Sequence, residues 1–144
     1  MSLFPNDHLV QRFARCYMKH GRFGKALAII DSAFQILKTN HEVQEPVRFF
    51  YEAVQNAKPL VETKPLNIGS KRVPQPRAVG PKRQEGLALR FIARAVYDKR
   101  RVGRKNSDHK LAAELVALHK KEGAARKMRD DKHKLAEANR AYVR

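Results

Sequence analysis

Five of the seven prolines lie within residues 58–92, and they constrain the fold more than any other feature of the sequence. A proline lacks the backbone N–H and clashes inside a helix, so no helix continues through this stretch. Residues 60–64 and 71–77 are predicted to form two extended arms, joined by a turn at residues 67–70, where Asn and Gly suit a turn. Prolines in both arms withhold donors from any further strand, which predicts a lone two-stranded β-ribbon.

The predicted ribbon is basic, and its cations are Lys64, Lys71, Arg72 and Arg77. A lone hairpin is only marginally stable in water. We therefore predict a functional arm, over about residues 60–79, that is not part of the folded core and becomes fully ordered against an anionic partner.

Helical periodicity occupies the chain on both sides of the ribbon. The clearest amphipathic pattern has apolar residues three or four positions apart, at Phe23, Leu27, Ile30, Phe34 and Leu37. Predicted helices cover about residues 7–20, 22–38, 46–57, 81–99, 107–122 and 124–143. The sequence thus predicts a mainly all-α fold of about six helices in one domain, residues 1–144, with the ribbon protruding between the third and fourth helices.

Helix ends and inward faces follow from the same patterns. Asn6 or Asp7 is predicted to cap the first helix and Gly21 to end it. Ser107 is predicted to cap the fifth helix, and Gly123 to end it. Tyr51 is expected to face inward together with Phe50. The last helix offers only a sparse apolar stripe, at Met128, Leu135, Ala138 and Tyr142, and a helix that is basic almost all round needs an outside partner.

Positive charge is concentrated in the second part of the chain. The formal net charge is +17, of which residues 1–57 carry +2 and residues 58–144 carry +15. Such a density costs self-repulsion unless a polyanion relieves it, which favours nucleic acid as the partner. A membrane surface fits less well, because the basic helices lack an aromatic or leucine-rich opposite face, and no apolar run is long enough to span a bilayer.

Two groups of cations are candidate phosphate contacts. Spacings of seven, four and seven residues place a row of arginines along the outside of the fourth helix, at Arg83, Arg90, Arg94 and Arg101. Arg22 and Lys25 lie in or beside a Gly-X-X-Gly turn between the first two helices. KH domains clamp nucleic acid with such a loop, but that fold needs a strand before the helix, so a plain helix end and tight turn is favoured.

No catalytic or metal-binding constellation is recognisable. Ser107, Asp108 and His109 are consecutive, which puts them on different faces of a helix start. Cys16 stands alone, so a disulfide framework and a multi-cysteine zinc site are both excluded. We predict neither enzymatic activity nor a metal or cofactor.

Two blocks of sequence carry a specific resemblance. The first is Lys-Pro-Leu-Val-Glu at 58–62, Val-Pro at 73–74, Arg-Gln at 83–84 and Leu-Ala-Leu-Arg-Phe-Ile at 87–92. The second is Gly-Ala-Ala at 123–125, Lys127, Arg129, His-Lys at 133–134 and Ala-Glu-Ala-Asn-Arg-Ala at 136–141. Together they resemble the ribosomal small-subunit protein seven family, over nearly the whole chain from about Asp7.

The resemblance implies a structural component of the small ribosomal subunit. Members bind the 3′ major domain of small-subunit rRNA, help to start assembly of the head, and lie near the messenger exit and the E-site tRNA, beside other head proteins. It implies no membrane partner and no homo-oligomer. Matched family positions imply RNA contacts at Lys25, Arg83, Arg90, Lys127, Arg129, His133, Lys134, Asn139 and Arg140. Charge and position alone add Arg22, Lys64, Lys71, Arg72, Arg77, Arg94, Arg101 and Arg126.

The chain departs from the family pattern at its ends and at the ribbon tip. It begins almost at the first helix, without a basic extension, and only residues 142–144 stand where many members have an aromatic-rich tail. Residues 65–68 differ from the usual bacterial tip. These departures favour an organellar, mitochondrial member, with a bacterial cytoplasmic protein as the alternative.

Two other classes stay open. A DNA-architectural protein also uses a basic, proline-containing ribbon, which enters the minor groove. Such a protein usually needs an apolar dimer seam, and none is found. An RNA-modifying enzyme would need a cofactor pocket or a paired acid and base, which are equally absent from the sequence pattern.

Overall fold

Six α-helices and one two-stranded antiparallel sheet make up the computed structural model, which describes residues 7–100 and 106–142. In chain order the elements are α1 (His8–Tyr17), α2 (Phe23–Asn40), α3 (Pro46–Ala57), β1 (Val61–Ile68), β2 (Lys71–Ala78), α4 (Pro81–Arg100), α5 (Ser107–His119), α6 (Gly123–Ala138) and a 3-10 turn at Arg140–Tyr142. The predicted fold, mainly helical with a ribbon between the third and fourth helices, is confirmed.

Helix α4 lies at the centre of the helical body, in contact with α1, α3, α5 and α6. Its buried residues include Leu89, Ile92 and Val96, each fully enclosed. Aromatic rings from three other helices meet in the same core, with centroid distances of 5.5 Å for Phe13–Phe50 and 5.7 Å for Phe34–Phe50. The predicted inward leucines of α5 are also buried, at Leu111, Leu115 and Leu118.

Several predicted core positions are less buried than expected, and alanines lie on the buried faces of the same helices. On α2 the buried face includes Ala26 and Ala33, whereas Leu27 is only half-buried. On α6 it is Ala125 and Ala136 that are buried, while Leu135 is 47% exposed. Tyr51 and Tyr142 are exposed too, at 44% and 37%. Small side chains let helix backbones approach closely, and a sequence pattern weighted by large apolar residues misses such faces.

The predicted caps are partly confirmed. Asp7 caps α1 by accepting a hydrogen bond from the backbone N–H of Val10 at 3.0 Å. That helix ends at Tyr17, before the predicted cap at Gly21, which instead shares a left-handed turn with His20 (φ +69° and +57°). Asn106, rather than Ser107, is the N-cap residue of α5.

The end of α5 also differs from the prediction at Gly123. The left-handed residue that closes α5 is Lys121 (φ +62°), and the N–H of Glu122 bonds to the carbonyl of Ala117 at 2.8 Å, a Schellman arrangement. Gly123 begins α6 instead of ending α5. The buried Glu114 then accepts a hydrogen bond from the N–H of Ala125 at 2.9 Å, which joins the two helices.

The ribbon is longer and tighter than predicted. Its strands pair from Val61 opposite Ala78 to Ile68 opposite Lys71, which leaves Gly69 and Ser70 as a two-residue turn. Gly69 has φ +59° and Ser70 does not have a positive φ. Glycine at the first turn position is typical of a type II′ hairpin.

All the ribbon prolines occupy non-hydrogen-bonded pairs. The N–H of Val79 donates to the carbonyl of Leu60 at 3.0 Å, so hydrogen-bonded pairs alternate along the ribbon from that point. By this alternation Pro65 faces Pro74, and Pro76 faces Thr63, at positions where an N–H would point away from the partner strand. The prolines therefore cost the ladder no hydrogen bond.

The base of the ribbon is packed into the protein. Glu62 and Gln75 on one face are each 5% exposed, and both strands contact α6. Lys71 and Arg72, next to the tip, are exposed, and so is Lys64, which pairs with Gln75. The prediction of an arm outside the folded core is therefore wrong for the base of the ribbon and fits only its outer half.

Candidate nucleic-acid interface

A bidentate ion pair fixes the ribbon to the start of α4. The Nε and Nη2 atoms of Arg83 donate to the two carboxylate oxygens of Glu62, at 2.7 and 3.0 Å. The Glu62 side chain is only 6% exposed, while that of Arg83 is 53% exposed. The hydrogen bond from Arg83 lowers the pKa of Glu62, and the same bond raises the pKa of Arg83. Arg83 therefore supports the fold while presenting part of its guanidinium to solvent.

A second arginine, which sequence reasoning missed, also contacts the first turns of α4. Arg12 of α1 donates to the Glu85 carboxylate at 2.5 Å and to the Lys82 carbonyl at 3.3 Å. Glu85 follows Arg12 by 73 positions. No local signal in the sequence pairs them.

Three of the four arginines in the predicted row lie in the described part of the chain. Arg90 and Arg94 of α4 are exposed on the outside of the helix. Arg94 has a long, solvent-exposed contact of 4.0 Å with Asp98, whereas Arg90 makes no ion pair with any of the described residues. Both line a shallow cavity with Lys19. Arg101 lies outside the described residues.

The turn between α1 and α2 adds cations beside this row. Lys19, Arg22 and Lys25 line one cavity, and Lys19 places its Nζ 4.1 Å from the centre of the Tyr97 ring. Arg22 and Lys25 are exposed. Because Lys19 lines both this cavity and the one beside Arg90, the cations of the turn and those of α4 lie on neighbouring parts of the surface, with Asp98 among them.

On the ribbon, register decides which cations share a face. Lys64 and Lys71 lie on the face that also carries Glu62, while Arg72 lies on the other face. Arg77 is exposed and donates to the Gln75 side-chain oxygen at 3.2 and 3.3 Å. The four predicted ribbon cations therefore do not form a single surface.

Three predicted contact residues of α6 bind the protein's own backbone. Arg126 donates to the carbonyl of Asn56 at 2.7 Å, and Arg129 donates to the carbonyl of Lys58 at 3.1 Å. The Nε2 atom of His133 accepts a hydrogen bond from the N–H of Leu60 at 3.0 Å. These bonds hold the segment that enters the ribbon, so the three side chains have a structural role. RNA contact by them stays a prediction.

The remaining predicted residues of α6 are at the surface. Lys127, Lys134 and Arg140 are exposed, and Arg140 pairs with Glu137 at 3.1 Å. Asn139 is half-buried and donates to the Leu135 carbonyl at 2.8 Å.

The packing of α6 also changes the pKa of His133. Burial lowers its pKa, and the positive charge of Arg129 lowers it further. A neutral ring is also what the bond from Leu60 requires, since the accepting nitrogen must carry no proton.

Other site types lack support in the part of the chain that the structure covers. Within residues 7–100 and 106–142, no group of three or more His, Cys, Asp or Glu side chains is placed to hold a metal ion. Among the described helices, none has the length and apolar character needed to cross a membrane.

The arrangement defines a basic helical protein whose exposed cations lie on a ribbon, a central helix and an adjoining turn, which suits nucleic-acid binding. The sequence comparisons specify the family. The chain belongs to the family described as ribosomal protein S7p/S5e, whose profile matches residues 3–140.

Individual relatives agree with this assignment. The chain is similar to a small ribosomal subunit protein uS7 of Thermomicrobium roseum, with 40% identity over 95% of this chain and 85% of the relative. Proteins of the same name from Sorangium cellulosum (38% identity, covering 95% and 85%) and Rhodopirellula baltica (37% identity, covering 96% and 88%) are similar as well. The family resemblance read from the two sequence blocks is confirmed.

Proposed function

We propose that this chain is a structural, non-catalytic component of the small ribosomal subunit. In that role it binds the 3′ major domain of small-subunit rRNA, nucleates head assembly, and lies beside other head proteins, near the messenger exit and the E-site tRNA. The names of the relatives support the subunit, and the resemblance described above supports the finer roles. We propose that residues 1–144 act as one domain and that the chain carries no cofactor, spans no membrane and forms no homo-oligomer.

The observation that carries RNA binding is the exposed group of cations on α4 and the adjoining turn. Arg90 has no carboxylate partner among the described residues, and Arg22 and Lys25 are exposed close by. Unneutralised cations gathered on one surface are what a phosphate backbone binds. The outer ribbon adds Lys64, Lys71 and Arg72, which are equally exposed.

The proposed cellular compartment rests on the sources of the relatives. The relatives compared above are bacterial. The bacterial sources support a bacterial ribosome as the working proposal.

A salt titration with an rRNA head fragment tests the RNA-binding proposal. Each phosphate neutralised on single-stranded RNA contributes about −0.7 to the slope of log K against log salt, so six or more contacts predict a slope steeper than about −4. Co-sedimentation of the native protein with the small subunit would test the location. A slope near zero, or equal affinity for duplex DNA, would contradict the proposal, and the latter would favour the DNA-architectural alternative.

A further inference from the structure

We propose that Arg12, Lys82, Arg83 and Arg90 form a preformed pocket for one backbone phosphate of RNA, and that Arg12 is positioned in it by Glu85 and by the absence of a side chain at Gly86. The inference rests on the proposed RNA binding and deepens it. It assigns a role to Arg12, which neither the charge pattern nor the family resemblance singled out.

The pocket lies at the start of α4, where α1 crosses it. A cavity of about 270 Å³ is lined by Arg12, Lys82, Arg83, Gly86, Leu87 and Arg90. Four of these six residues are cations. None of the six is aromatic, so the pocket offers no ring on which a nucleobase could stack. Its chemistry therefore suits a phosphate group rather than a base.

The paired arginines keep donors for such a ligand. A guanidinium has five N–H groups. Arg12 uses one toward Glu85 and one toward the Lys82 carbonyl, and Arg83 uses two toward Glu62, so three N–H groups remain on each. The two carboxylates thus hold the guanidinium groups in place and leave N–H donors on each for a ligand.

The charges of the pocket suit a phosphodiester. Four cations face two carboxylates, Glu62 and Glu85, which leaves a local excess of two positive charges. A phosphodiester carries one negative charge, and hydrogen bonds between arginine and phosphate are among the stronger ones in proteins. Since a backbone phosphate is the same at every nucleotide, this contact fixes position and reads no sequence.

Gly86 makes room for Arg12. A Cβ at position 86 would lie 3.0 Å from Arg12 Nη2, which is tighter than ordinary contact. Glycine is a poor helix former, yet it stands inside α4 here. Glycine at this position leaves room for the Arg12 guanidinium where the structure places it.

The test compares three variants with the wild type in binding to an rRNA head fragment across a range of salt. Arg12→Ala should flatten the slope by about one contact, and at 0.1 M salt a slope change of 0.7–0.9 corresponds to roughly five- to eightfold weaker binding. Gly86→Leu should weaken binding at least as much, because its side chain fills the cavity and displaces the Arg12 guanidinium. The circular dichroism and melting temperature of this variant are measured alongside, so that weaker binding is not confused with unfolding. Arg15→Ala is the matched control: Arg15 is an exposed arginine of the same helix outside the pocket.

A titration of the wild type with inorganic phosphate, followed by NMR, separates this inference from the proposed function. Amide shifts at Arg83 and Gly86, absent at Arg15, would support the pocket even if the rRNA fragment failed to bind. A wild type that binds RNA while Arg12→Ala matches Arg15→Ala would overturn the pocket and leave the proposed function intact. An absence of phosphate-induced shifts at Arg83 and Gly86 would overturn it as well.

Discussion

Glu62 on β1 accepts both hydrogen bonds of a bidentate pair from Arg83 on α4, so one carboxylate joins the ribbon to the central helix. The two residues are 21 positions apart, and the hairpin turn and β2 lie between them in the chain. Glu62 is almost fully buried, so this contact helps to hold the base of the ribbon, together with the bonds from α6 to the segment before β1.

We expect Glu62→Gln to lower the melting temperature at neutral pH. The pair with Arg83 lowers the folded-state pKa of Glu62 below its ordinary value of 4.5. Stability from this group is therefore present above pH 4.5 and is lost as the pH falls through the lower folded-state value. Thermal unfolding of both proteins between pH 7 and pH 2 measures the effect.

Across that range, the difference between wild type and Glu62→Gln should shrink toward acid pH. A difference that is constant with pH would mean that packing, rather than the charge of Glu62, accounts for the loss. Glu137→Gln is a suitable control, because that carboxylate is exposed and pairs only with an exposed arginine.

His133 should make stability depend on pH in a higher range. Its folded-state pKa is lowered by burial and by Arg129, below the ordinary 6.5. The neutral ring is thus favoured in the folded protein, so its stability is full above pH 6.5 and falls as the pH drops through the folded-state value. His133→Ala should remove this dependence, whereas His133→Gln, which retains an acceptor for the Leu60 N–H, should keep much of the stability at neutral pH. If the His133 ring titrates at 6.5 or above by NMR, the argument fails.

The core of α2 gives a direct comparison of two aliphatic residues. Ile30 is 1% exposed, and Ile30→Ala should cost roughly 2–5 kcal/mol of the free energy of unfolding. Leu27 is only half-buried, so Leu27→Ala should cost clearly less. Denaturant unfolding of both variants measures the order, and a larger loss for Leu27 would mean that the buried face of α2 is placed wrongly.

The exposed arginines of α4 should affect binding rather than folding. Arg90→Ala and Arg94→Ala are expected to change the free energy of unfolding by no more than about 0.5 kcal/mol, as is usual for surface substitutions, while weakening binding to an rRNA head fragment. Arg83→Ala serves as the contrast, because it breaks the pair with Glu62 and should also lower the melting temperature. Loss of the fold in the Arg90 or Arg94 variant would show that these arginines support the core.

In the absence of RNA, the protection of backbone amides from hydrogen exchange should differ along the ribbon. The N–H groups of Glu62 and Gln75 point into the ladder at the buried base, whereas those of Ile68 and Lys71 close the exposed tip. Protection is therefore expected to decrease from base to tip, since solvent-exposed hydrogen bonds open more readily. Uniformly low protection would instead support the prediction of an arm that becomes ordered only when it binds an anionic partner.

Local rules were sufficient for much of the fold. The spacing of apolar residues predicted the six helices, as Ile30, Phe34 and Leu37 do for α2. The prolines predicted the ribbon, because Pro65 and Pro74 exclude a helix between them. They were insufficient where small residues form the contact, as Ala136 does on α6, since a small apolar side chain carries little weight in such a pattern.

The candidate site was predictable only in part. Exposure of Arg90 and Arg94 follows from the position of the apolar face of α4. The seat of Arg12 does not, because it depends on a helix crossing that brings Glu85 and Gly86 against a residue more than 70 positions earlier. The same limit applies to Arg126 and Arg129, whose charge predicted an outside partner and whose bonds go to the carbonyls of Asn56 and Lys58.

The placement of the ribbon prolines has a consequence for the protein on its own. A two-stranded sheet has two open edges, and open edges recruit strands from other chains into aggregates. Three of the eight outward backbone positions of this ribbon are prolines, at residues 65, 74 and 76, and offer no N–H to an incoming strand. Newly made chains can therefore accumulate with an exposed hairpin while remaining poor templates for β-aggregation.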